Sequence, residues 1–261
     1  MVHTKAGRND VTISISCIST ILHKESIHAV ESTLNCIKAS KIYWFSDIDF
    51  PKDVGCEVVN IRIPPFDRTK SFNDAYSYLT LKVMPEVVDT DYNLIVQHDG
   101  YAVNSEAWTD CFLNYDYIGA VIVWFPKKKR ASNGGFCLRS RKLYNAMKSI
   151  GIQYTLEDLI KYKNIEKSYD VDILRDRFVG KSMAEDAIIT QVYRQQLEKD
   201  YKIKFAPEKI ANRFSIESNF SSCWAMKSFG FHGPILYNYY NSVFPLLFTK
   251  KAGKPTTLVV R

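Results

Sequence analysis

The sequence predicts an α/β fold in which a mainly parallel sheet is covered by helices. Along the first hundred residues, short runs of β-branched and aromatic residues alternate with longer segments of helical periodicity, which is typical of βαβ units. The run Asn93–Val96 is continuously apolar or strand-forming, and Gln-His-Asp-Gly follows it at 97–100. Buried parallel strands have this character, and open α/β sheets bind ligands beyond the carboxyl ends of their strands. Residues 97–100 are therefore the first candidates for a functional site.

The elements before that strand follow from local patterns. Val11–Ser19 alternates β-branched residues with Ser and Thr, which predicts the first strand. Residues 24–38 place apolar side chains at spacings of 3, 4 and 3, which predicts a helix. Two further strands are predicted at Lys41–Phe45 and Val58–Ile63, and a Pro-Pro pair stops the second. Residues 71–88 are predicted to be helical, with a proline that ends or kinks the helix.

The second half is less regular, and its elements are predicted from apolar spacing and turn residues. They are a short helix at 106–113, a strand at 117–124, a loop at 126–130, helices at 141–149, 155–163 and 182–199, and strands at 201–205 and 212–215. We expect one domain over residues 11–235. A polar segment at 1–10 precedes it, and a packing arm at 236–261 follows it.

The composition is that of a globular domain. The 261 residues are 46% hydrophobic and 24% charged, and they contain neither a run of about 18 uncharged apolar residues nor an apolar signal-peptide core. The six cysteines are scattered without a Cys-x-x-Cys pair, which favours free thiols over disulfides or a zinc site.

Charge is distributed unevenly along the chain. The net charge is −3 over residues 1–100 and +10 over residues 101–261, so we expect the second half to meet an anionic partner. A nucleotide diphosphate, a nucleic acid and an acidic membrane are candidates, and a solvated basic surface is equally compatible with these counts.

Polar side chains end the predicted parallel strands. Right-handed crossovers place the carboxyl ends of such strands at one edge of the sheet, so we expect Thr20, Asp47 and Asp99 to converge. A carboxylate at a strand end is a suitable ligand for Mg²⁺ or Mn²⁺. Taken alone, an Asp-Gly pair after a strand favours a simple turn instead.

A glycine pair follows a basic loop. Gly134 and Gly135 allow a ligand to approach the backbone closely, although a hairpin turn uses the same residues. Residues 127–142 hold seven Lys or Arg and no acid, which favours an anionic ligand or acceptor beside the glycines.

Two acids open the predicted helix at 182–199. Ser182 and Glu185 have capping-box spacing, so Glu185 has a structural role available. Asp186 is not needed for that cap and is available as a general base. Glu157 and Asp158, behind Thr155, form a second pair that resembles a helix start.

His232 lies in a turn-rich segment, Phe-Gly-Phe-His-Gly-Pro at 229–234. A lone histidine is more often a core or surface residue than a ligand. A neutral imidazole can nevertheless complete a metal site that a carboxylate begins.

The order of these motifs is more specific than any one of them. Gln-x-Asp-Gly at 97–100, Asn-Gly-Gly-Phe-x-Leu-Arg-Ser at 133–140, Glu-Asp at 185–186 and Phe-Gly-Phe-His-Gly at 229–233 follow one another. The set resembles nucleotide-sugar glycosyltransferases of the A-type fold. Within them it is similar to a poorly characterised bacterial and viral family that also carries segments like 204–207 and 213–217. The resemblance covers residues 10–235.

This resemblance implies a Rossmann-like A-type glycosyltransferase domain, with residues 11–125 as the nucleotide-binding half and 126–235 as the acceptor-binding half. It implies transfer of a hexose or pentose, with inversion, from a nucleotide-diphosphate sugar to a glycan or lipid-linked saccharide, and UDP is the expected nucleotide. A hydroxylated base of viral DNA is an alternative acceptor, and a non-catalytic nucleotide-binding protein is a further alternative. We expect a cytoplasmic protein, at the inner membrane periphery or in a host cytoplasm if the chain is viral.

Carried over by position, the resemblance implies a role for each candidate. Asp99 and His232 would bind Mn²⁺ or Mg²⁺ at the donor diphosphate, and Asp186 would be the catalytic base with Glu185 beside it. The donor-binding residues would be Ser19, Thr20, Asp47, Gln97, Asp99, Gly134 and Gly135, of which Thr20 and Asp47 hold the nucleoside. The acceptor-binding residues would be Lys127, Lys128, Lys129, Arg130 and Arg139.

One residue departs from the family pattern. Gln97 stands where the first acid of an Asp-x-Asp motif is expected. Its amide can hydrogen-bond a ribose or sugar hydroxyl, but it supplies no negative charge. We therefore expect the metal to depend on Asp99, His232 and the diphosphate, and to bind weakly without the nucleotide.

Overall fold

The computed structural model describes residues 11–65, 72–155, 157–159, 178–179, 182–217 and 227–243. A six-stranded sheet in the order β3-β2-β1-β4-β7-β6 forms the centre of this part of the chain. Its strands are β1 (Ile13–Ser19), β2 (Lys41–Ser46), β3 (Glu57–Arg62), β4 (Tyr92–Val96), β6 (Tyr117–Gly119) and β7 (Cys137–Ser140).

Strands β1 to β4 are parallel, and β7 is antiparallel to both β4 and β6. The register aligns Cys17 of β1 with Val96 of β4, and Ser19 with Ser46 of β2. The carboxyl ends of three neighbouring strands therefore lie at one edge, as predicted. The α/β fold class with a mainly parallel sheet is confirmed.

Helices cover both faces of this sheet. They are α1 (His23–Cys36), α2 (Phe72–Tyr78), α3 (Met84–Val87), α4 (Arg141–Ile150), α5 (Glu185–Ala187), α6 (Arg194–Asp200), α7 (Glu208–Phe214) and α8 (Pro234–Val243). π-helical turns at Leu79–Val83 and Ile188–Val192 join α2 to α3 and follow α5. Side chains of β2 alternate between two cores: Tyr43 and Phe45 face the core that contains α3 and α4, whereas Ile42 and Trp44 face the core that contains α1.

A small sheet in the order β10-β11-β5 places residues 230–232 beside the turn that follows β4. Its strands are β5 (Gly100–Ala102), β10 (Ser215–Ile216) and β11 (Gly230–His232). Strand β11 runs antiparallel to β5, with His232 opposite Gly100. This pairing brings a residue far along the chain beside the turn at 97–100.

Several predictions for the second half are wrong in detail. The strand expected at 117–124 ends at Gly119 and is followed by an isolated bridge between Val121 and Ala131. The segment 212–215 belongs mainly to α7, because Pro207 starts a helix whose buried residues Ala211 and Phe214 are three positions apart. Residues 201–205 contribute only a bridge at Phe205. The helix expected at 106–113 is two 3-10 segments, Ser105–Ala107 and Asp110–Asn114.

The helix expected at 182–199 begins later than predicted. Ser182 and Met183 form β9, which pairs with β8 (Phe178–Val179), and the first helical residue is Glu185. The predicted capping box of Ser182 and Glu185 is therefore wrong. Near 155 the prediction of a helix start is confirmed, since the Asp158 amide donates to Thr155 Oγ1 and Thr155 Oγ1 donates to the Asp158 carboxylate. Residues 160–163 of that predicted helix lie outside the described residues.

Two expectations concern features of the whole chain. No helix among the described residues is long and apolar enough to cross a membrane. The five cysteines in the described ranges are free thiols, as predicted, and Cys223 lies outside those ranges. The predicted polar segment at 1–10 and most of the arm at 236–261 also lie outside them.

A buried amide joins β1, β4 and α4. Asn93 Oδ1 accepts hydrogen bonds from Ser14 and Ser16 at 3.0 and 2.8 Å, and Asn93 Nδ2 donates to Tyr144 at 2.7 Å. The side chain of Asn93 is fully buried. Loss of this amide leaves the Ser16 hydroxyl without a partner in a space that excludes water, whereas Ser14 keeps its hydrogen bond to Thr90.

We therefore expect Asn93→Ala to lower the free energy of unfolding by about 1–3 kcal/mol, the cost of leaving buried polar groups unpaired. Urea denaturation measures this change, and Asn114→Ala, at an exposed asparagine, is the matched control. Equal stability of the two variants would contradict a structural role for the Asn93 network.

Candidate functional site

Strand β4 ends in a tight turn that presents Asp99. The backbone groups of Gln97 and Gly100 hydrogen-bond to each other in both directions, at 2.9 and 3.0 Å. His98 and Asp99 occupy the centre of this turn. The turn and the site are therefore not alternatives, because the turn directs the Asp99 carboxylate toward the neighbouring strand.

His232 of β11 lies against this turn. Its Nε2 is 3.0 Å from Gln97 Oε1 and 3.9 Å from Asp99 Oδ1, and its Nδ1 is 3.2 Å from Glu217 Oε1. A Cβ at Gly100 would lie 2.6 Å from the imidazole, so only glycine fits there. Burial lowers the pKa of His232, but the hydrogen bond to Glu217 and the nearby carboxylates outweigh burial, and the pKa is raised overall.

The donor atoms around His232 fit a small divalent cation. Asp99 Oδ1 is buried and has no hydrogen-bond partner among the described residues. Its 3.9 Å separation from His232 Nε2 is within the span of about 4.2 Å that two ligands of one Mg²⁺ can bridge. Gln97 Oε1 adds a neutral oxygen. In the described ranges no group of three His, Cys, Asp or Glu side chains could hold a metal, so a cation here would need further ligands from a substrate.

The glycine pair lies between the acids Glu185 and Asp186 on one side and His232 on the other. A Cβ at Gly134 would lie 1.9 Å from Glu185 Oε1, and one at Gly135 would lie 2.0 Å from His232 Nε2. Neither glycine is among those with positive φ, so the need for glycine comes from close packing rather than from the backbone conformation. Consecutive glycines thus bring the acidic pair and the histidine to the same short segment.

Asp186 lies directly over this segment. Its carboxylate accepts hydrogen bonds from the Gly134 and Ala187 backbone amides, at 3.2 and 2.6 Å. Burial raises the pKa of Asp186 to about 7, and the charges of Glu185 and Glu217 add to the increase. A carboxyl group that titrates near neutral pH is suited to accept a proton from a substrate hydroxyl.

Glu185 has a structural partner. Its Oε1 accepts a hydrogen bond from Arg139 Nη2 at 2.9 Å, and the Arg139 side chain has no solvent exposure. The sequence predicts that Arg139 binds an acceptor, but β7 turns this side chain inward, where it pairs with Glu185 instead of facing solvent. Glu185 is held by the ion pair, which leaves Asp186 as the acid available to accept a proton.

The predicted nucleoside residues lie together at the carboxyl edge of β1 and β2. Ser19 donates to the Ile21 carbonyl, whereas Thr20 Oγ1 is buried without a hydrogen-bond partner in the described part of the chain. Asp47 Oδ1 is 2.7 Å from His23 Nε2, and this hydrogen bond lowers the pKa of Asp47. The structure brings these residues to the predicted edge, and it adds His23 to them.

The basic loop offers fewer available cations than its sequence suggests. Lys129 Nζ donates to the Gln191 carbonyl, and Arg130 Nε donates to the Phe125 carbonyl. Lys127 and Lys128 are exposed, as is the nearby Trp124 with 52% exposure. Within the loop, the two exposed lysines are the residues best placed to meet an acceptor.

Two site residues were not assigned a role from the sequence. Glu217 lies in the 213–217 segment that the family resemblance includes, but nothing in its sequence spacing connects it to His232. Asn133 accepts hydrogen bonds from the Gly135 and Phe136 amides, and its Nδ2 lies 3.0 Å from His232 Nδ1. Only the pairing of β10, β11 and β5 brings these groups together, and that pairing has no local sequence signal.

Comparison with known proteins places the chain in a family. A family model described as protein of unknown function DUF5672 matches residues 58–232. The chain belongs to this family. No curated protein matches the sequence.

Several solved structures align with this chain. A glycosyltransferase involved in glycosylation of the major capsid of PBCV-1 aligns over 89% of this chain and 99% of its own, with 9% identity and a TM-score of 0.52. Mouse xyloside xylosyltransferase 1 aligns over 87% and 98%, with 12% identity and a TM-score of 0.46. The galactosyltransferase LgtC, solved with donor and acceptor sugar analogs, aligns over 85% and 88%, with 12% identity and a TM-score of 0.47. At 9% identity the likeness to the PBCV-1 glycosyltransferase shows the fold alone: this DUF5672 protein has a Rossmann-like, A-type glycosyltransferase fold.

Replacement of Arg139 by Met is expected to lower the free energy of unfolding by about 3–5 kcal/mol, because Glu185 would remain buried without its partner. The double variant Arg139→Met with Glu185→Leu should lose less stability than this single variant, since it leaves no unpaired buried charge. Chemical denaturation of both variants measures the difference. A double variant that is less stable than Arg139→Met would show that the pair is not coupled.

Proposed function

We propose that this protein is a metal-dependent glycosyltransferase that moves a sugar from a nucleotide diphosphate to an acceptor hydroxyl. One observation carries the proposal: consecutive glycines separate a potential base, Asp186, from a potential cation site at Asp99 and His232. The two halves of a sugar-transfer site thus meet at one segment beyond the carboxyl end of a parallel sheet. The shared fold with the PBCV-1 glycosyltransferase supports the proposal.

The chain's own residues act at both ends of the transferred sugar. Asp186 accepts the proton of the acceptor hydroxyl as the oxygen of that hydroxyl bonds to the anomeric carbon. The bond between the anomeric carbon and the diphosphate oxygen breaks at the same time. Attack from the face opposite the diphosphate inverts the configuration of the anomeric carbon.

Asp99 and His232 would hold Mn²⁺ or Mg²⁺ at the diphosphate. When bound, such a cation supplies positive charge for the leaving phosphate oxygens. Gln97 contributes an amide oxygen to this group and can hydrogen-bond a hydroxyl of the donor. Glu185 holds its neighbour Asp186 in place through the pair with Arg139 rather than acting as a second base.

The nucleoside would bind at the ends of β1 and β2. Thr20 Oγ1 is a buried hydroxyl without a hydrogen-bond partner among the described residues, and a ligand would supply one. Asp47 can accept from ribose hydroxyls while His23 orients it. UDP is the nucleotide that we propose for this site, and Ser19 borders it.

We propose a glycan or lipid-linked saccharide as the acceptor. The seven basic residues at 127–142 are the reason to consider a DNA base as the acceptor instead. Five of these seven side chains contact protein groups in the structure. These are Lys129, Arg130, Arg139, Arg141 and Lys142. Two exposed lysines make a weak electrostatic footprint for nucleic acid, where affinity depends on many phosphate contacts.

Asp99→Ala should abolish metal-dependent hydrolysis of UDP-sugars, because among the described residues it removes the carboxylate that lies beside His232 Nε2. The measurement is UDP release with Mn²⁺ present and with EDTA present, across a panel of UDP-sugars. Asp110→Ala, at an exposed aspartate, is the control and should retain wild-type rates. Normal turnover by Asp99→Ala would contradict the proposed cation site.

The rate should also depend on the protonation of Asp186. Because burial raises the pKa of Asp186 to about 7, the base is mostly protonated below that pH and ionised above it. We expect kcat/KM to increase tenfold per pH unit below pH 7 and to level off above it, in a transfer assay over pH 5–9. Asp186→Asn should lower the rate by about 10²–10⁴-fold and remove this inflection. An unchanged profile in that variant would exclude Asp186 as the base.

A non-catalytic nucleotide-binding protein is the competing function, and Gln97 is the observation that favours it. Calorimetry with UDP and Mn²⁺, followed by the turnover assay, separates the two. Tight nucleotide binding without release of UDP from any UDP-sugar would favour the competing function.

A further inference from the structure

Gln97 leaves the proposed cation site short of negative charge. Of the three side chains that converge there, only Asp99 is an acid, whereas Gln97 and His232 are neutral when they ligate a metal. This inference rests on the proposed function, and it concerns where the missing charge is supplied.

Glu217 is positioned by the small sheet to supply it. Strands β10 and β11 are parallel, with Ser215 opposite Gly230 and Ile216 opposite Phe231. One residue further along, Glu217 follows the end of β10, and His232 is the last residue of β11. This register explains why Glu217 Oε1 lies 3.2 Å from His232 Nδ1.

Glu217 contacts the Nδ1 edge of the imidazole, on the opposite side of the ring from Asp99. His232 Nε2 faces Gln97 and Asp99, so the Glu217 carboxylate stands behind the ring and acts through it. Carboxylates in this position fix which ring nitrogen carries the proton, and they increase the basicity of the other nitrogen. Glu217 Oε2 is buried and has no hydrogen-bond partner in the described ranges, and Asn133 Nδ2 lies 3.0 Å from the same Nδ1, so the amide and the carboxylate share this nitrogen.

We propose that Glu217 is a positioning residue of the cation site, which orients His232 Nε2 toward Asp99 and supplies the negative charge that Gln97 lacks. An acid remote in sequence thereby substitutes for the first acid of the usual motif. A merely structural role, in which Glu217 only fastens the end of β10 to β11, predicts lower stability without any specific effect on cation binding.

Mn²⁺ binding to the full chain tests the proposal directly, by electron paramagnetic resonance or calorimetry with and without UDP. Glu217→Ala should weaken Mn²⁺ binding by about 10–100-fold, the usual effect of losing a carboxylate behind a ligating histidine. Glu217→Gln keeps the size of the side chain and an acceptor oxygen, so it should lose less affinity than Glu217→Ala. Glu86→Ala, at an exposed glutamate, is the control and should bind Mn²⁺ as the wild type does.

A compensating change makes the test specific. Gln97→Asp restores charge on the other side of His232, so adding it to Glu217→Gln should recover Mn²⁺ affinity. A structural role of Glu217 predicts no such recovery. Thermal unfolding of each variant identifies any that fail to fold, and the isosteric Gln variant then carries the test.

The outcomes separate this inference from the proposed function. If Asp99→Ala and His232→Ala weaken Mn²⁺ binding but folded Glu217 variants do not, the role of Glu217 is overturned and the cation site stands. If the wild type binds no Mn²⁺ even with UDP, both the cation site and the role of Glu217 are overturned. If Glu217 variants weaken Mn²⁺ binding but no UDP-sugar is turned over, the role of Glu217 stands and transferase activity fails.

Discussion

The geometry of the site depends on one buried ion pair, between Arg139 of β7 and Glu185 at the start of α5. Removing two charges from water costs free energy, and only close pairing offsets that cost. Glu185 can therefore begin its helix only where the Arg139 guanidinium meets it. The next residue is then placed over the backbone of Gly134, where it accepts two amide hydrogen bonds. Electrostatics in the core thus positions the group that we propose as the base.

The other side of the site is positioned by backbone pairing. Strand β5 continues from the turn after β4, and β11 returns from near the end of the chain to lie beside it. His232 and Glu217 reach the site through this small sheet, and neither belongs to the large one. Asp186, held by the core, and His232, held by the small sheet, meet across Gly134 and Gly135, where any side chain larger than hydrogen would collide with a residue of the site.

The fold was largely predictable from the sequence, and the reason lies in the parallel strands. Apolar runs such as 94–96 and helical spacing such as that of 24–38 are local signals, and the handedness of crossovers converts them into a common edge with Asp99 on it. Contacts between distant segments have no such signal. Arg139 looked like an acceptor-binding cation because its neighbours in sequence are basic, and Glu185 looked like a helix cap because of its spacing from Ser182. Glu217 could not be assigned, since its partnership with His232 depends on the register of two short strands.

The π-helical turn at 188–192 has a consequence for how this protein can vary in length. A π turn accommodates one residue more than an α-helical turn, so it takes up that residue while the helical faces on either side keep their orientation. At one end of this segment Glu185 meets Arg139, and at the other Arg194 lies over the ring of Phe205 at 4.3 Å. Deleting one residue from 188–192 would convert the π turn into an α turn and leave both anchors in place. Relatives that are one residue shorter here should therefore keep both anchors, and this pair of contacts is a signature to seek in sequences too divergent to align by identity.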